Sequence, residues 1–408
     1  MDGASGIGST AISSSFHTDM LCDLGETDNL PILQAMVDHL GDRGGGTLQL
    51  PASRRHFRCD GTIRWRSGVS LRGQGAAVSR LVQPTGRLPL IDITGVRGAR
   101  FDAIAMEGSG LASEPDRDYA SAIHGVGDSA DIAITRCEIR DWHRAGVAVD
   151  GIDGLEISNC VVERTYSSGG VVISKGQMGR RIRITGNRIT KTQFGNLHAW
   201  GPVSDIFVSE NYLDESGWQG GDYRQGNVAD NITLYNDARN QNIIIRSNIC
   251  LNSGENGIHA AADGLVIEGN VIRSPKLYGI IASHKPYERP DPFTQVSIRG
   301  NIIECVDASD PDSRGIGLRN CEGFLVADNQ IVRAHMGIEI LGQGEGLSAR
   351  SGLVTGNILR KGGACALLLR GGGPILIARN FWQADTFCMY EDRSAIHAIE
   401  MHNSQIAE

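Results

Sequence analysis

The stretches IRSNIC (245–250), IEGNVI (267–272) and IRGNII (298–303) share one pattern, an apolar strand, a turn that holds Asn, and another apolar residue. The same pattern recurs at steps of 22 to 37 residues, with its asparagines at Asn159, Asn187, Asn211, Asn248, Asn270, Asn301, Asn329, Asn357 and Asn380. ITRCEI (134–139) is an earlier copy with Cys137 in the turn. A repeat of this length is typical of a solenoid, in which each repeat forms one coil stacked on the last.

The composition of the 408 residues suits such a solenoid and narrows the function. Gly is abundant (53 residues) and aromatics are few (5%), as tight turns around stacked aliphatics require. The net charge of −8, without a basic run, argues against nucleic acid as a partner. The nine cysteines show no CxxC or zinc spacing, so we expect buried thiols rather than a disulfide framework. No stretch is long and apolar enough to span a membrane.

The N-terminal part predicts a cap on the first coil. Residues 27–41 read as one short helix, with Thr27 or Asp28 as its N-cap and Gly41 at its end. Its apolar stripe is Leu30, Leu33, Val37 and Leu40. The predicted organisation is a flexible lead-in (1–20), a cap with the helix (21–60), the parallel β-helix (61–390) and a C-terminal tail (391–408).

This N-terminal stretch, together with the Asn-bearing coils, resembles the pectate lyase-like superfamily of right-handed parallel β-helix proteins over about residues 25–385. The matching residues are Thr27-Asp28-Asn29, Gly44-Gly45-Gly46-Thr47, Leu50-Pro51, and Ser67-Gly68-Val69 to Gly73-Gln74-Gly75. The resemblance implies an all-β, right-handed parallel β-helix of about ten or more coils with a short capping helix. It also implies a carbohydrate-active protein, since such families include polysaccharide lyases, glycoside hydrolases, uronan epimerases and phage tailspikes.

The third strand of each coil predicts a functional face. Alternate side chains of a strand point to opposite sides. Aligning these strands on their inward aliphatics leaves two outward columns. The first holds Ala148, Val172, His198, Thr233, His259, Ile281, Gly317 and Glu339. The second holds Asp150, Ser174, Trp200, Tyr235, Ala261, Ser283 and Arg319. His198, Tyr235 and His259 should then lie within roughly 10–15 Å of one another.

We expect this face to form a groove, walled by the long loops that hold Trp218 and residues 284–293. The predicted catalytic residues are His198, Tyr235, His259 and Asp237. The predicted substrate-binding residues are Lys175, Trp200, Trp218, Asp222, His284, Lys285, Arg319 and Glu339. Taken singly, each of these residues also fits an ordinary surface role; their convergence on one face favours a site.

Two chemistries compete for this face. In β-elimination at a uronate, a cation neutralises the carboxylate, a base takes the C5 proton and an acid protonates the leaving oxygen; His, Tyr, Lys and Arg fit these roles. A C5-epimerase needs the same groups. Hydrolysis needs two carboxylates across the bond, and the pool for these is Asp222, Asp230, Asp237, Asp263 and Glu339. A non-catalytic glycan-binding protein, tailspike or adhesin is the third alternative.

The prediction is therefore an enzyme that cleaves a polysaccharide, with the lyase placed before the hydrolase or glycan transferase. Its partner is a polysaccharide or oligosaccharide, with no nucleic acid or membrane, and a homotrimer is kept open. No cofactor is predicted; calcium held by acids on neighbouring coils is the alternative. The Gly/Ser-rich residues 1–15 show no signal peptide, whereas the expected substrate favours an extracellular or periplasmic location.

Overall fold

The computed structural model describes residues 15–17, 21, 24–110, 120–174, 176–218, 229–235, 237, 239–283, 291–341, 349–370, 373–390 and 397–406. These residues form a right-handed parallel β-helix of about 13 turns, with one short α-helix near the N-terminus, as the sequence predicted. Each full coil contributes one strand to each of three parallel sheets that run the length of the molecule.

The three sheets differ in their place within the coil. The first sheet precedes the asparagine turn and consists of Ser15–His17, Gly46–Gln49, Val69–Arg72, Arg100–Asp102, Ala130–Thr135, Asp153–Ser158, Gly179–Thr185, Val203–Ser209, Gln241–Arg246, Val266–Glu268, Phe293–Arg299, Cys321–Ala327, Gly352–Thr355, Pro374–Ala378 and His397–Met401. The second sheet follows that turn and consists of Leu24–Asp28, His56–Arg58, Arg80–Val82, Ala105–Glu107, Glu138–Trp142, Val161–Thr165, Arg188–Thr192, Tyr212–Ser216, Ile249–Leu251, Val271–Arg273, Ile302–Glu304, Gln330–Val332, Ile358–Arg360, Phe381–Trp382 and Ser404–Gln405. The third sheet completes the coil and consists of Ile63–Arg64, Ile91–Asp92, Ser121–Val126, Ala145–Asp150, Val171–Ile173, Leu197–His198, Ile232–Leu234, Ile258–Ala260, Tyr278–Ala282, Arg314–Arg319, Met336–Leu341, Cys365–Arg370 and Thr386–Tyr390.

The turns between the first and second sheets carry a ladder of stacked asparagines. Each Nδ2 donates to the Oδ1 of the asparagine one coil further on, at 2.9 to 3.1 Å. Its members are Asn187, Asn211, Asn248, Asn270, Asn301, Asn329, Asn357, Asn380 and Asn403. The ladder satisfies polar groups inside the turn, which explains why the sequence repeats this residue type.

The backbone of the turn follows a fixed pattern with one exception. The left-handed backbone angle falls on the residue before the ladder asparagine, for example φ 59° at Glu210 before Asn211. Asn159 is the exception: it adopts φ 53° itself, and Cys160 takes the ladder position, where its amide donates to Asn187 Oδ1 at 2.9 Å. The repeat at residues 157–162 is therefore shifted by one residue from the predicted alignment.

Aliphatic side chains of all three sheets fill one continuous core. The described cysteines are free thiols, and all but Cys388 are buried, which confirms the preference for core thiols over disulfides. The N-terminal end of this core is covered by the helix Leu30–Asp42, which contacts the strands Gly46–Gln49, Ile63–Arg64 and Val69–Arg72.

The cap helix follows its predicted apolar pattern, but its N-cap is neither the predicted Thr27 nor the predicted Asp28. Leu33, Val37 and Leu40 are buried, together with Met36. Its N-cap residue is Asn29, while the carboxylate of Asp28 accepts the Leu30 amide at 2.9 Å and so satisfies a helix-terminal donor. The helix ends at Asp42, one residue beyond the predicted stop. Within the part of the chain that the structure describes, no helix has the length and hydropathy needed to cross a membrane.

Candidate functional site

The register of the third sheet confirms the predicted outward column. Successive strands pair Ala148, Val172, His198, Thr233, His259, Ile281, Gly317 and Glu339 in one row. The row continues toward the N-terminus through His124, Asp92 and Arg64, which the sequence analysis did not include.

The side chains of this column are more buried than an open groove requires. Only 1% of His198, 9% of His259 and 2% of Glu339 is exposed. The expectation that these groups face solvent is therefore wrong. One physical reason is that aromatic side chains from neighbouring positions lie across the column: Trp200 packs on His198, and Tyr235 packs on His259.

A polar cluster surrounds His259. Its ring stacks on the ring of Tyr235, with centroids 3.4 Å apart and planes 7° from parallel. Its Nδ1 lies 3.8 Å from the Oδ2 of Asp230, and its Nε2 is hydrogen-bonded with the Ser283 hydroxyl at 2.9 Å. The Thr233 hydroxyl donates to the same Asp230 oxygen at 3.0 Å. His259 thus has a carboxylate on one side and a hydroxyl on the other.

Asp230 is completely buried behind His259. Its Oδ1 accepts two hydrogen bonds from Asn256, from the backbone amide at 3.0 Å and from Nδ2 at 2.8 Å. Burial, together with the nearby charge of Glu255, raises the pKa of Asp230 well above its usual range, although the hydrogen bonds act against this. Burial also raises the pKa of Glu255. A buried acid with a perturbed pKa beside a histidine is a common feature of functional sites.

His198 lies two coils from His259 and is in register with it through Thr233, and Trp200 follows two residues later. The ring centroids of His198 and Trp200 are 4.0 Å apart, and their planes are tilted by 35°. Trp200 is 40% exposed and forms an outer layer over the buried His198. The structure therefore places Trp200, rather than His198, where a ligand on this face can touch it.

A second polar cluster lies further along the same face, around Tyr278, which sequence reasoning missed. The Tyr278 hydroxyl donates to Glu339 Oε2 at 2.5 Å and accepts from Arg319 Nη2 at 3.2 Å. Arg314 Nε donates to the other Glu339 oxygen at 3.0 Å. Burial, assisted by the charge of Glu339, raises the pKa of Tyr278 to about 12. The ring lies over Gly317, where an added Cβ would come within 2.7 Å of it. In the sequence, Gly317 is the feature that could have indicated this cluster.

This second cluster revises two predictions. Glu339 is buried in an ion pair with Arg314 and does not line an open groove. Arg319 is half-buried, and it forms no ion pair with another residue that the structure describes. In register it lies next to Ser283, one position beyond the pair Ala282 and Leu318. An arginine without an ion pair among the described residues therefore lies beside Ser283, which is hydrogen-bonded with His259.

The remaining predicted residues make other contacts or lie outside the described residues. Asp237 forms an ion pair with Arg239 at 2.7 Å and accepts that residue's amide, which makes it part of a turn. Trp218 packs on Tyr166, with ring centroids 5.4 Å apart. The predictions for Lys175, Asp222, His284 and Lys285 fall on residues that lie outside the described part.

Metal binding has no visible basis in the described residues, which contain no group of three or more His, Cys, Asp or Glu placed to hold an ion.

Comparison with known proteins agrees on the fold. Residues 121–303 match the family described as "Right handed beta helix region". No curated protein matches the chain. Among solved structures, the catalytic unit of a thermostable GH87 α-1,3-glucanase from Streptomyces thermodiastaticus strain HF3-3 is similar at 15% identity and a TM-score of 0.61, over 98% of this chain and 70% of the other.

The surface adhesin PfbA of Streptococcus pneumoniae is similar at 14% identity and a TM-score of 0.57, over 94% of this chain and 93% of the other. Identities this low speak for a shared architecture alone. Together with the sheet order and the matched family, they identify the chain as a right-handed parallel β-helix protein.

Proposed function

We propose that the protein is a carbohydrate-active enzyme that cleaves an acidic polysaccharide by β-elimination at a uronate, with His259 as the base. The observation that carries the proposal is the setting of His259, between the buried carboxylate of Asp230 and the hydroxyl of Ser283. A histidine whose ring is held between an acid and a hydroxyl is suited to taking a proton near neutral pH, because its orientation is fixed before the substrate arrives.

The groups around His259 fit the other requirements of elimination. Arg319 lies two strands from His259, beside Ser283 in register, and it forms no ion pair with another described residue, so it is available to pair with the uronate carboxylate. Pairing at that position would lower the cost of removing the C5 proton, since the developing negative charge meets a fixed cation. Tyr235, stacked on His259, is the proposed acid for the leaving oxygen.

Trp200 supplies a surface for sugar binding on the other side of the cluster. Its exposed ring lies in the same column as Tyr235, one coil away. Trp200 and Arg319 are four coils apart, roughly 19 Å at the usual strand spacing. An extended glycan that stacks on Trp200 would therefore run over His259 and place a uronate carboxylate near Arg319.

Hydrolysis is the second candidate, and one observation favours it. Asp230 has a raised pKa, as a general acid requires, and Glu255 lies near it. The similar glucanase also gives this reading some support. However, Asp230 is completely buried behind Thr233 and His259, so it is better placed to orient His259 than to touch a glycosidic bond. A binding-only role, suggested by the similar adhesin, makes no use of the buried Asp230–His259 pair.

The test is to incubate the protein with acidic and neutral polysaccharides and to follow the ultraviolet absorbance of unsaturated uronates together with new reducing ends. We expect both signals to rise together on an acidic polymer. Reducing ends without absorbance would replace the lyase by the hydrolase. Neither signal on any polymer would contradict cleavage and favour epimerisation or binding alone. Extracellular or periplasmic action and a homotrimer remain predictions that this assay leaves aside.

A further inference from the structure

A second cleft opens on the same face of the third sheet, near the N-terminal end of the solenoid. It has a volume of about 630 Å³ and is lined by Arg64, Asp92, His124, Leu88 and Val126, among others. Arg64, Asp92 and His124 occupy the outward column that later passes through His198 and His259, and none of them belongs to the two clusters described above. The cleft is thus a separate feature on a shared surface.

Three polar residues of the cleft, Arg64, Asp92 and His124, come from three successive coils. Arg64 pairs in register with Asp92, and Asp92 pairs with His124. The cap helix fixes the first of these strands: the Arg64 amide donates to Gln34 Oε1 at 2.8 Å, and Gln34 Nε2 donates back to the Arg64 carbonyl at 3.0 Å. The cleft therefore has a rigid floor, even though it lies near one end of the molecule.

Arg64 and Asp92 are in-register neighbours, yet neither forms an ion pair with another residue in the described ranges. The hydrogen bond that the Asp92 carboxylate accepts comes from the Thr94 amide at 2.9 Å. Arg64 is exposed, so its guanidinium donors face solvent. A cation and a carboxylate are thus presented side by side to whatever enters the cleft.

This chemistry fits a glycan better than a metal or a nucleic acid. The Asp92 carboxylate can accept hydrogen bonds from sugar hydroxyls, and the Arg64 guanidinium can bind a uronate carboxylate bidentately. Leu88 and Val126, which are 40% and 36% exposed, offer an apolar wall for the C–H face of a sugar ring. The negative charge of Asp92 would repel the phosphates of a nucleic acid. Asp92 and His124 together provide too few ligands for a metal ion.

We propose that this cleft is a distal subsite that holds the same polysaccharide chain on which His259 acts. The inference rests on the proposed function. His124 and His259 are five strands apart in one register, roughly 24 Å, and Asp92 lies roughly 29 Å from His259. A short oligosaccharide cannot occupy both places, whereas a polymer can. The protein should therefore bind long chains more tightly than short ones.

The test uses affinity electrophoresis in gels that contain polygalacturonate, alginate, hyaluronan or dextran. All proteins carry His259→Gln, so that no polymer is degraded during the run. The test variant adds Arg64→Ala and Asp92→Asn. The control variant adds Arg299→Ala and Glu268→Gln, which remove an equally charged but exposed pair from the first sheet. Thermal melting confirms that each variant is folded.

We expect the parent and the control to be retarded equally by at least one acidic polymer. The Arg64/Asp92 variant should bind that polymer at least about tenfold more weakly, because it loses a charged contact and its hydrogen bonds.

Three outcomes would overturn the inference. Equal retardation of the test variant and the parent would exclude the cleft as a subsite while leaving the site at His259 intact. Equal weakening of the control would show a non-specific effect of charge. No retardation of the parent by any of the polymers would contradict both the subsite and the proposed function.

Discussion

Replacing Asn270 by Ala should destabilise the solenoid strongly, because this residue lies in the middle of the asparagine ladder and is completely buried. Its Oδ1 accepts the amide of Asn248 at 2.9 Å and the Nδ2 of Asn248 at 3.0 Å. Its Nδ2 donates to the Ile245 carbonyl and to Asn301 Oδ1, both at 3.0 Å. The substitution removes all four hydrogen bonds at once.

The cost follows from which partners are left without a replacement. The Nδ2 of Asn248 keeps the carbonyls of Val208 and Arg246 as acceptors. The buried amide of Asn248 loses its acceptor, and Ile245 O loses a donor. An unsatisfied buried group costs about 1–3 kcal/mol, so we expect the free energy of unfolding to fall by about 2–4 kcal/mol.

Asn403 provides the matched control, because it makes the same kind of contacts in the last coil but is only half-buried. Water can replace its hydrogen bonds, so Asn403→Ala should cost less than about 1 kcal/mol. Urea-induced unfolding followed by circular dichroism measures both variants. Equal losses in the two variants, or a loss below about 0.5 kcal/mol for Asn270→Ala, would refute the reasoning.

Three further predictions concern the third-sheet face. The pKa of Asp230 is raised in the folded state, so the folded protein binds more protons than the unfolded chain. The free energy of unfolding should therefore fall as the pH rises from about 4 through the raised pKa of the folded state. In Asp230→Asn this fall should be smaller, as melting temperatures between pH 4 and pH 8 will show; an unchanged pH dependence would contradict the assignment. Gly317→Ala should lower the free energy of unfolding by about 1–3 kcal/mol, because the new Cβ would come within 2.7 Å of the Tyr278 ring. An unchanged free energy of unfolding would show that the ring moves freely. Trp200→Ala should weaken glycan binding in affinity electrophoresis. It should shift the melting temperature by less than about 2 °C, since the ring is substantially exposed. Unchanged retardation of the variant would exclude Trp200 from the site.

The sequence was sufficient to predict the architecture because the same local requirement returns in every coil. Each turn must satisfy buried polar groups, and a residue such as Asn270 does so with its neighbours of the same type. Side chains alternate along a strand, so the strand pattern alone is enough to predict that His198 and His259 share one outward row, as the register of the third sheet confirms.

The exposure of the site could not be read in this way, since it depends on which large side chains lie across the column. The Tyr278 hydroxyl reaches Glu339 across two coils, although the two residues are 61 positions apart in sequence. Arg314 forms an ion pair with the other oxygen of the same carboxylate. The alignment at Asn159 failed for a local reason: Cys160 can fill the ladder position, and only the backbone angle distinguishes the two arrangements.

The most direct test of the central claim, that His259 is the base of a glycan-cleaving site, is the activity of His259→Gln on the polymer that the panel identifies. His56→Gln, a half-buried histidine on the second sheet, is the matched control. We expect kcat to fall by at least about a hundredfold in His259→Gln, as loss of a general base requires, with full activity in the control and similar melting temperatures in both. Full activity of the His259 variant would contradict the assignment of the site.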